Sequence, residues 1–153
     1  MDRVDRAILS HLMADGRLTN AELADRVGLS PSPCLRRVRN LERSGVITGY
    51  QAIVDPASVG LGFEVLVHVD MAVQDRATLE AFEAEVARID EVARCRRMFG
   101  QPDYLLWVVT ADLRAYERLY MARLTDLPGV ARTNSQFTMK TVKDTVGLPA
   151  TAR

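Results

Sequence analysis

One short stretch of the chain concentrates the side chains that proteins use to contact nucleic acid. Residues 30–44 contain four arginines and one glutamate, whereas the whole chain of 153 residues balances 20 basic against 20 acidic side chains. Arginine binds guanine edges and phosphates with paired hydrogen bonds, and asparagine suits adenine. The candidate contact residues are Ser30, Ser32, Pro33, Arg36, Arg37, Arg39, Asn40 and Arg43. Because the overall charge is neutral, any contact with double-stranded DNA has to be local.

The helical repeat predicts which side of this stretch is buried. When residues are placed at steps of about 100° around Val38, four of them fall within roughly 60° of it. These four are Cys34, Leu35, Leu41 and Glu42. We expect this stripe to be buried and the arginines to lie on the opposite side and on the flanks. Charge alone favours an ordinary solvated helix face, so the DNA interpretation depends on the neighbouring elements.

Those neighbouring elements are two helix starts joined by a tight turn. Thr19 with Glu22 three residues later predicts a capping box at the first start. Ser30 followed by Pro31 predicts the second start, where the missing N–H of proline costs nothing. Gly28 can take the left-handed conformation that ends the first helix. A short helix, a glycine-containing turn and a second helix predict a helix-turn-helix, which favours the DNA interpretation.

The rest of the N-terminal region supplies support for this motif. Apolar residues recur at helical spacing within residues 2–13, which predicts a first helix that packs beneath the other two. Residues 46–54 have strand character and predict a wing or a linking strand. Pro56 and Gly62 bound a change in composition. We therefore predict a DNA-binding domain, winged-helix-like, over residues 1–60.

The region after Gly62 shows a different periodicity. Apolar residues alternate over residues 63–71, which is typical of a half-buried strand. A helix follows, then strands at residues 92–99 and 104–110, a helix capped by Asp112, and a last strand at residues 130–142. This βαββαβ order predicts a ferredoxin-like domain over residues 61–153, including a tail from Lys143, and hence an α+β fold class for the chain.

Three segments of the sequence resemble a known family. The first reads GLSPSPCLRRVRNLERSGVITGY, and the others read FGQPDYLLWV and LPGVARTNSQF. They are similar to the DNA-binding module and the effector domain of the Lrp/AsnC regulators, in the order of that family. The resemblance covers nearly the whole chain. It implies a DNA-binding transcriptional regulator that responds to a small molecule, such as an amino acid, and assembles as a homodimer or higher oligomer.

The resemblance also implies an effector site. In this family a Gly-x-x-Asp loop contributes to the amino-acid pocket, and hydroxyl residues of the last strand face the same region. Gly100 and Asp103 match this loop, and Thr133 and Ser135 match the hydroxyl positions. Gln101 and Pro102, the two intervening residues of the loop, complete the predicted effector site. From the residues alone, a plain turn between two strands is the favoured interpretation of this loop, because Gly, Pro and Asp are turn formers; only the resemblance favours an effector site.

Other classes of function have less support. Cys34 and Cys95 are far apart and have no neighbouring histidine, so no metal site or cofactor is expected, and both are expected to be small buried residues. We find no nucleophile–base pair for an enzyme, although ferredoxin-like domains host many chemistries. An architectural DNA-binding protein without an effector is the remaining alternative. The N-terminus lacks a signal-peptide core, so we expect a cytoplasmic protein.

A dimer is also expected from the strand pattern. The strand at residues 104–109 is apolar at every position, so both faces of the sheet carry apolar side chains. Two helices cover only one face. A soluble monomer rarely leaves so large an apolar patch exposed, and packing against a second copy would cover it.

Overall fold

The computed structural model describes residues 1–143 and divides them into two compact units, Met1–Ile53 and Val54–Val142. The tail after residue 143, which we assigned to the second domain, lies outside the described residues. Among the described residues, none of the helices has the length and apolar character needed to span a membrane.

The first unit is a three-helix domain. Its helices are α1 (Arg3–Ala14), α2 (Asn20–Arg26) and α3 (Pro31–Arg43). They enclose a small core of Ile8, Leu23, Ala24, Cys34 and Leu41. Asp2 caps α1 through a reciprocal pair of hydrogen bonds with Asp5. The predicted helix-turn-helix is therefore present as α2 and α3, supported from below by α1.

The two predicted helix starts differ in how they are capped. The capping box of α2 is confirmed, since Thr19 and Glu22 each accept a hydrogen bond from the backbone N–H of the other. Ser30 is the N-cap residue of α3, but its side chain makes no capping hydrogen bond. A capping hydroxyl accepts from the second or third helical N–H. The third helical residue is Pro33, which has no N–H, so one of the two possible donors is missing.

The turn between α2 and α3 uses glycine as predicted. Gly28 has φ 68°, in the left-handed region, and the N–H of Leu29 reaches back to the carbonyl of Ala24 at 2.9 Å. This closes the last turn of α2 and redirects the chain within two residues.

The predicted linking strand at residues 46–54 is wrong for the described chain, in which these residues form no strand. Gly45 ends α3 with φ 73°, and the N–H groups of Val46 and Ile47 both donate to the carbonyl of Leu41, at 3.0 and 3.1 Å. The first donors of the segment are thus used to close the helix. The remainder has no neighbouring strand with which to form a ladder within the described residues.

The second unit is an antiparallel sheet with helices on one face. After a short 3₁₀ helix at Ala57–Val59, its strands and helices follow one another as predicted. They are β1 (Phe63–Met71), α4 (Arg76–Val86), β2 (Val92–Arg97), β3 (Tyr104–Thr110), α5 (Leu113–Leu119, continued as a π turn over Tyr120–Leu124) and β4 (Val130–Phe137). The strand order is β2-β3-β1-β4. This βαββαβ topology confirms the ferredoxin-like arrangement.

Buried and partly exposed side chains alternate along β1 and β3, and the buried ones mark the face that the helices cover. Val65, Val67 and Val69 are fully buried, and the same parity on β3 is buried at Leu106 and Val108. The helices contribute buried Leu79, Phe82, Val86, Tyr116, Leu119 and Leu124 to this core. Side chains of the opposite parity lie on the other face, which no helix of this unit covers.

Two strands end earlier than the sequence predicts. β4 ends at Phe137 instead of residue 142 because its partner β1 begins at Phe63, and only Thr138 continues the pairing, to the carbonyl of Glu64. β2 ends at Arg97 instead of residue 99 because the N–H of Met98 bonds the carbonyl of Asp103 and closes the loop.

Cys95 is also not buried as expected. Cys34 lies in the first core, but Cys95 is exposed. It lies on β2, which is at the edge of the sheet and has only β3 as a neighbouring strand within the described residues.

Candidate nucleic-acid interface and effector site

The exposed side of α3 carries most of the predicted DNA-contact residues. Ser30, Ser32, Arg36, Arg39, Asn40 and Arg43 are exposed, and Pro33 is half-buried in the first turn. Within residues 1–143, no carboxylate lies within ion-pair distance of Arg36, Arg39 or Arg43. Their charges are therefore available to an external anion.

The predicted buried stripe is partly wrong. Cys34 and Leu41 are buried and Val38 is half-buried, but Leu35 is 37% exposed and Glu42 is exposed. α1 and α2 pack against the Cys34–Leu41 side of the helix, so the centre of burial is displaced from Val38 toward those two residues. Leu35 is thereby turned toward the basic surface, beside Ser32, Arg36 and Arg39.

Arg37 does not belong with the other arginines. It is half-buried, and its guanidinium lies against α1, where it donates to Asp2 and to Asp5 at 2.8 Å each. We predicted a DNA contact for Arg37, but the structure directs its side chain away from the surface that carries Arg36 and Arg39.

Hydrogen bonds outside the core also fix the ends of α3. The amide nitrogen of Asn20, at the start of α2, donates to the carbonyl of Pro31 at 2.8 Å. Tyr50 donates its hydroxyl proton to Glu42 at 3.0 Å, and burial together with this bond raises the pKa of Tyr50. Arg43 donates to the side-chain oxygen of Asn40, which leaves the amide N–H groups of Asn40 free to donate elsewhere.

In the second unit, Asp103 is anchored to the rest of the sheet. One carboxylate oxygen accepts the backbone N–H of Met71 at 2.7 Å, and the other accepts the side-chain amide of Gln74 at 2.8 Å. The loop before it contains Gly100, with φ 112°, and a cis peptide bond between Gln101 and Pro102. The carboxylate thus joins the β2–β3 loop to the end of β1.

A cavity of about 520 Å³ lies beside this loop. Its polar lining consists of Asp70, Gln74, Arg97, Gln101 and Asp103, and its apolar lining includes Met71, Leu79, Met98 and Phe99. Arg97 is its cationic side chain, 3.7 Å from Glu83 and 58% exposed. Sequence reasoning missed Arg97, Asp70 and Gln74, because only the folded sheet brings the end of β1 against the β2–β3 loop.

Thr133 and Ser135 do not line this cavity. Both lie on β4 and are bonded to tyrosines of the covering helix: Thr133 to the hydroxyl of Tyr120 at 2.8 Å, and Ser135 to that of Tyr116. The sequence-predicted effector residues therefore fall into two groups, the loop at residues 100–103 and the hydroxyls of β4.

The uncovered face of the sheet is apolar at its centre. Leu66 and Trp107 are paired across β1 and β3, and Leu105 and Val109 flank Trp107 on the same face. The guanidinium of Arg94 lies 5.1 Å from the centre of the Trp107 ring, in cation–π geometry. This face combines an apolar centre with a charged edge, a composition found at protein–protein interfaces.

A helix-turn-helix with an exposed basic surface, followed by a ferredoxin-like domain with a polar cavity, defines a DNA-binding protein with a separate ligand domain. Comparison with known families agrees. Residues 1–48 match the winged helix-turn-helix DNA-binding model, and residues 64–148 match the Lrp/AsnC ligand binding domain.

The chain belongs to the Lrp/AsnC family of transcriptional regulators, and is therefore not classed with enzymes. It is 42% identical to the leucine-responsive regulatory protein of Salmonella typhimurium over 143 residues. This match covers 94% of this chain and 87% of that protein. The corresponding protein of Escherichia coli is 41% identical over the same shares.

Two solved structures of regulators are similar to this chain. An AsnC family regulator from Agrobacterium tumefaciens superposes with a TM-score of 0.93 at 38% identity, covering 99% of both chains. A regulator from Neisseria meningitidis in complex with L-Met has a TM-score of 0.92 at 39% identity, covering 97% of this chain and 96% of that one.

Proposed function

We propose that α3 is the recognition helix of this regulator and that an amino acid bound beside the loop at residues 100–103 controls it. The observation that carries the first part is the surface formed by Arg36, Arg39 and Arg43, which have no ion-pair partner within residues 1–143. It lies in a chain whose 20 basic and 20 acidic side chains balance overall. Phosphate contacts set the register of such a helix on DNA, and its outward side chains read base edges in the major groove. We propose the cytoplasm as the place where this occurs.

Arg36, Arg39 and Arg43 suit this role because no carboxylate of residues 1–143 forms an ion pair with them. An arginine fork binds the O6 and N7 atoms of guanine with two hydrogen bonds. Asn40 keeps its amide donors, and Ser32 lies in the first turn, where recognition helices approach base edges most closely. The exposed side chain of Leu35 adds an apolar surface suited to a thymine methyl group.

Replacing Arg36 by alanine should weaken specific DNA binding without unfolding the protein. A lost base contact costs about 1–3 kcal/mol, which corresponds to roughly five- to 150-fold in Kd. The measurement is a gel-shift titration at fixed salt, with a duplex that the wild-type protein has enriched from a random-sequence library.

Arg76→Ala is the matched control, because it removes one exposed arginine from the second unit and changes the net charge equally. The control should bind as wild type does. Wild-type affinity in a folded Arg36→Ala protein would contradict the assignment of α3 surface residues to base reading.

The cavity beside the loop at residues 100–103 has the groups that a zwitterion requires. An ammonium group pairs with a carboxylate, and a carboxylate pairs with a guanidinium. Asp103 offers the first, since each of its oxygens has accepted one hydrogen bond and retains acceptor capacity. Arg97 offers the second. The apolar lining from Leu79, Met98 and Phe99 suits an aliphatic or thioether side chain.

Asp103 has two separable roles, which two substitutions distinguish. Asp103→Asn keeps an oxygen for the N–H of Met71 but removes the charge, so the loop should persist while the amino-acid response is lost. Asp103→Ala also leaves that N–H without a partner, which should lower the free energy of unfolding by about 1–3 kcal/mol. The measurement is a thermal-shift screen with each of the amino acids, methionine and leucine included, on all three proteins.

A full ligand-induced shift in Asp103→Asn would show that Asp103 only holds the loop. If the wild-type protein shows no shift with any amino acid, the proposal of an amino-acid effector fails, and an architectural DNA-binding role without an effector takes its place.

We further propose that the uncovered sheet face forms a homodimer, that dimers join into larger assemblies, and that the effector changes this assembly. The apolar centre at Leu66 and Trp107 supports the homodimer, because packing against a second copy would remove these side chains from water. A two-fold dimer places two recognition helices on one duplex, which matches palindromic sites.

Leu66→Asp should reduce the mass of the full-length protein measured by light scattering, because it buries a charge at the centre of this interface. The wild-type mass is expected to be at least twice the 17.0 kDa of one chain. Leu113→Asp, at a 54% exposed leucine on α5, is the control and should keep the wild-type mass. A monomeric wild-type protein contradicts the dimer, and an unchanged mass in Leu66→Asp contradicts the choice of face.

A further inference from the structure

Arg37 occupies an unusual place among the arginines of α3. It lies between Cys34 and Leu41 at spacings of three and four residues, the positions that share one side of a helix. Cys34 and Leu41 are buried on the core side. The side chain of Arg37 is 32% exposed and reaches the start of α1, 32 and 35 residues earlier in the chain. It therefore belongs to the packed side of α3.

The two acceptors of Arg37 are themselves fixed by the cap of α1. Asp2 accepts the N–H of Asp5 with Oδ1 at 2.9 Å and the Arg37 guanidinium with Oδ2 at 2.8 Å. Asp5 accepts the N–H of Asp2 with Oδ2 at 3.0 Å and Arg37 with Oδ1 at 2.8 Å. Each carboxylate thus uses one oxygen for the cap and the other for the arginine.

This arrangement makes Arg37 a poor partner for DNA. Its charge faces two carboxylates, and a phosphate approaching it would meet Asp2 and Asp5 as well. Both bonds come from the same nitrogen of Arg37, Nη1, which points at α1. Charge-assisted bonds between groups that are already held in place are stronger than those between free surface side chains. The arginine is therefore suited to holding α3 against α1.

We propose that Arg37 is a positioning residue for DNA recognition. It fixes the rotation of α3 about its own axis by attaching the middle of the helix to the cap of α1, and it makes no contact with DNA. Arg36, its neighbour in sequence, is held facing outward as a result. This inference rests on the proposed use of α3 as the recognition helix.

Removing the two acids tests this proposal, because the two roles predict effects of opposite sign. Asp2→Asn combined with Asp5→Asn raises the net charge by two and frees Arg37. If Arg37 contacts DNA, this variant should bind as tightly as wild type or more tightly. If Arg37 positions α3, affinity should fall about tenfold, within the usual range of coupling between contacting residues. Asparagine caps helices as well as aspartate does, so α1 keeps its start.

The measurement is Kd for the duplex enriched by wild-type protein, over a series of salt concentrations, for wild type, Asp2→Asn/Asp5→Asn, Arg37→Ala and the triple variant. We expect similar losses in the double variant and in Arg37→Ala, and no further loss in the triple variant. The slope of log affinity against log salt should stay at the wild-type value in Arg37→Ala. A lost phosphate contact would instead reduce it by about 0.9.

Wild-type or tighter binding by Asp2→Asn/Asp5→Asn would overturn the proposal. A reduced salt slope in Arg37→Ala, or an additive loss of affinity in the triple variant, would also overturn it. Thermal unfolding checks that each protein is folded at the assay temperature. If Arg37→Ala is not folded, the Asp2→Asn/Asp5→Asn variant decides the question, by whether its DNA affinity falls or rises. If wild-type protein enriches no duplex, the recognition-helix proposal itself fails, which is a different outcome.

Discussion

The orientation of α3 is the constraint on which the DNA-binding unit depends. A helix with arginines on its exposed side and on its flanks can read DNA only if one rotation about its axis is strongly preferred. Two buried side chains, Cys34 and Leu41, define the packed side, but a core of five buried residues is small. The polar contacts of Arg37 with α1 and of Asn20 with the start of α3 add directional bonds to this nondirectional packing. Hydrophobic burial alone would not distinguish neighbouring rotations so sharply.

The second unit combines one covered and one uncovered sheet face. On the covered face, the hydroxyls of β4 bond to Tyr116 and Tyr120 and so contribute to the attachment of the helix. At the end of β1, Asp103 holds the loop that lines the cavity. A carboxylate that both supports its loop and faces a cavity can link ligand binding to loop conformation, because a bound ammonium group would bond to the same oxygens that hold the loop.

Local signals in the sequence predicted much of this structure. The Thr19–Glu22 capping box, the left-handed Gly28 and the alternation along β1 each depend on residues close in sequence, and all three are present. The βαββαβ order follows from the same periodicities. The errors also have local physical causes, since Pro33 lacks the N–H that would help Ser30 to cap, and β4 cannot extend beyond the start of β1.

The site residues were harder to predict because their roles depend on distant parts of the chain. A helical wheel gives the angles between Arg36, Arg37 and Leu35 but not the direction from which α1 approaches. Placing the centre of burial at Val38 therefore put Leu35 in the buried stripe and Arg37 on a flank, whereas in the structure Leu35 is exposed and Arg37 is half-buried against α1. Likewise, the spacing Gly-x-x-Asp marks a loop, but the partners of Asp103 at Met71 and Gln74 lie about thirty residues earlier.

The proposed function requires that paired α3 helices enter the major groove with the arginine surface facing the bases. Methylation interference on the enriched duplex tests it most directly, because N7-methylguanine blocks arginine contacts in the major groove. We expect interference at two clusters of guanines, with centres about 10–10.5 base pairs or a multiple of that apart. Interference that is absent, or spread evenly along the duplex while the protein remains bound, would contradict it.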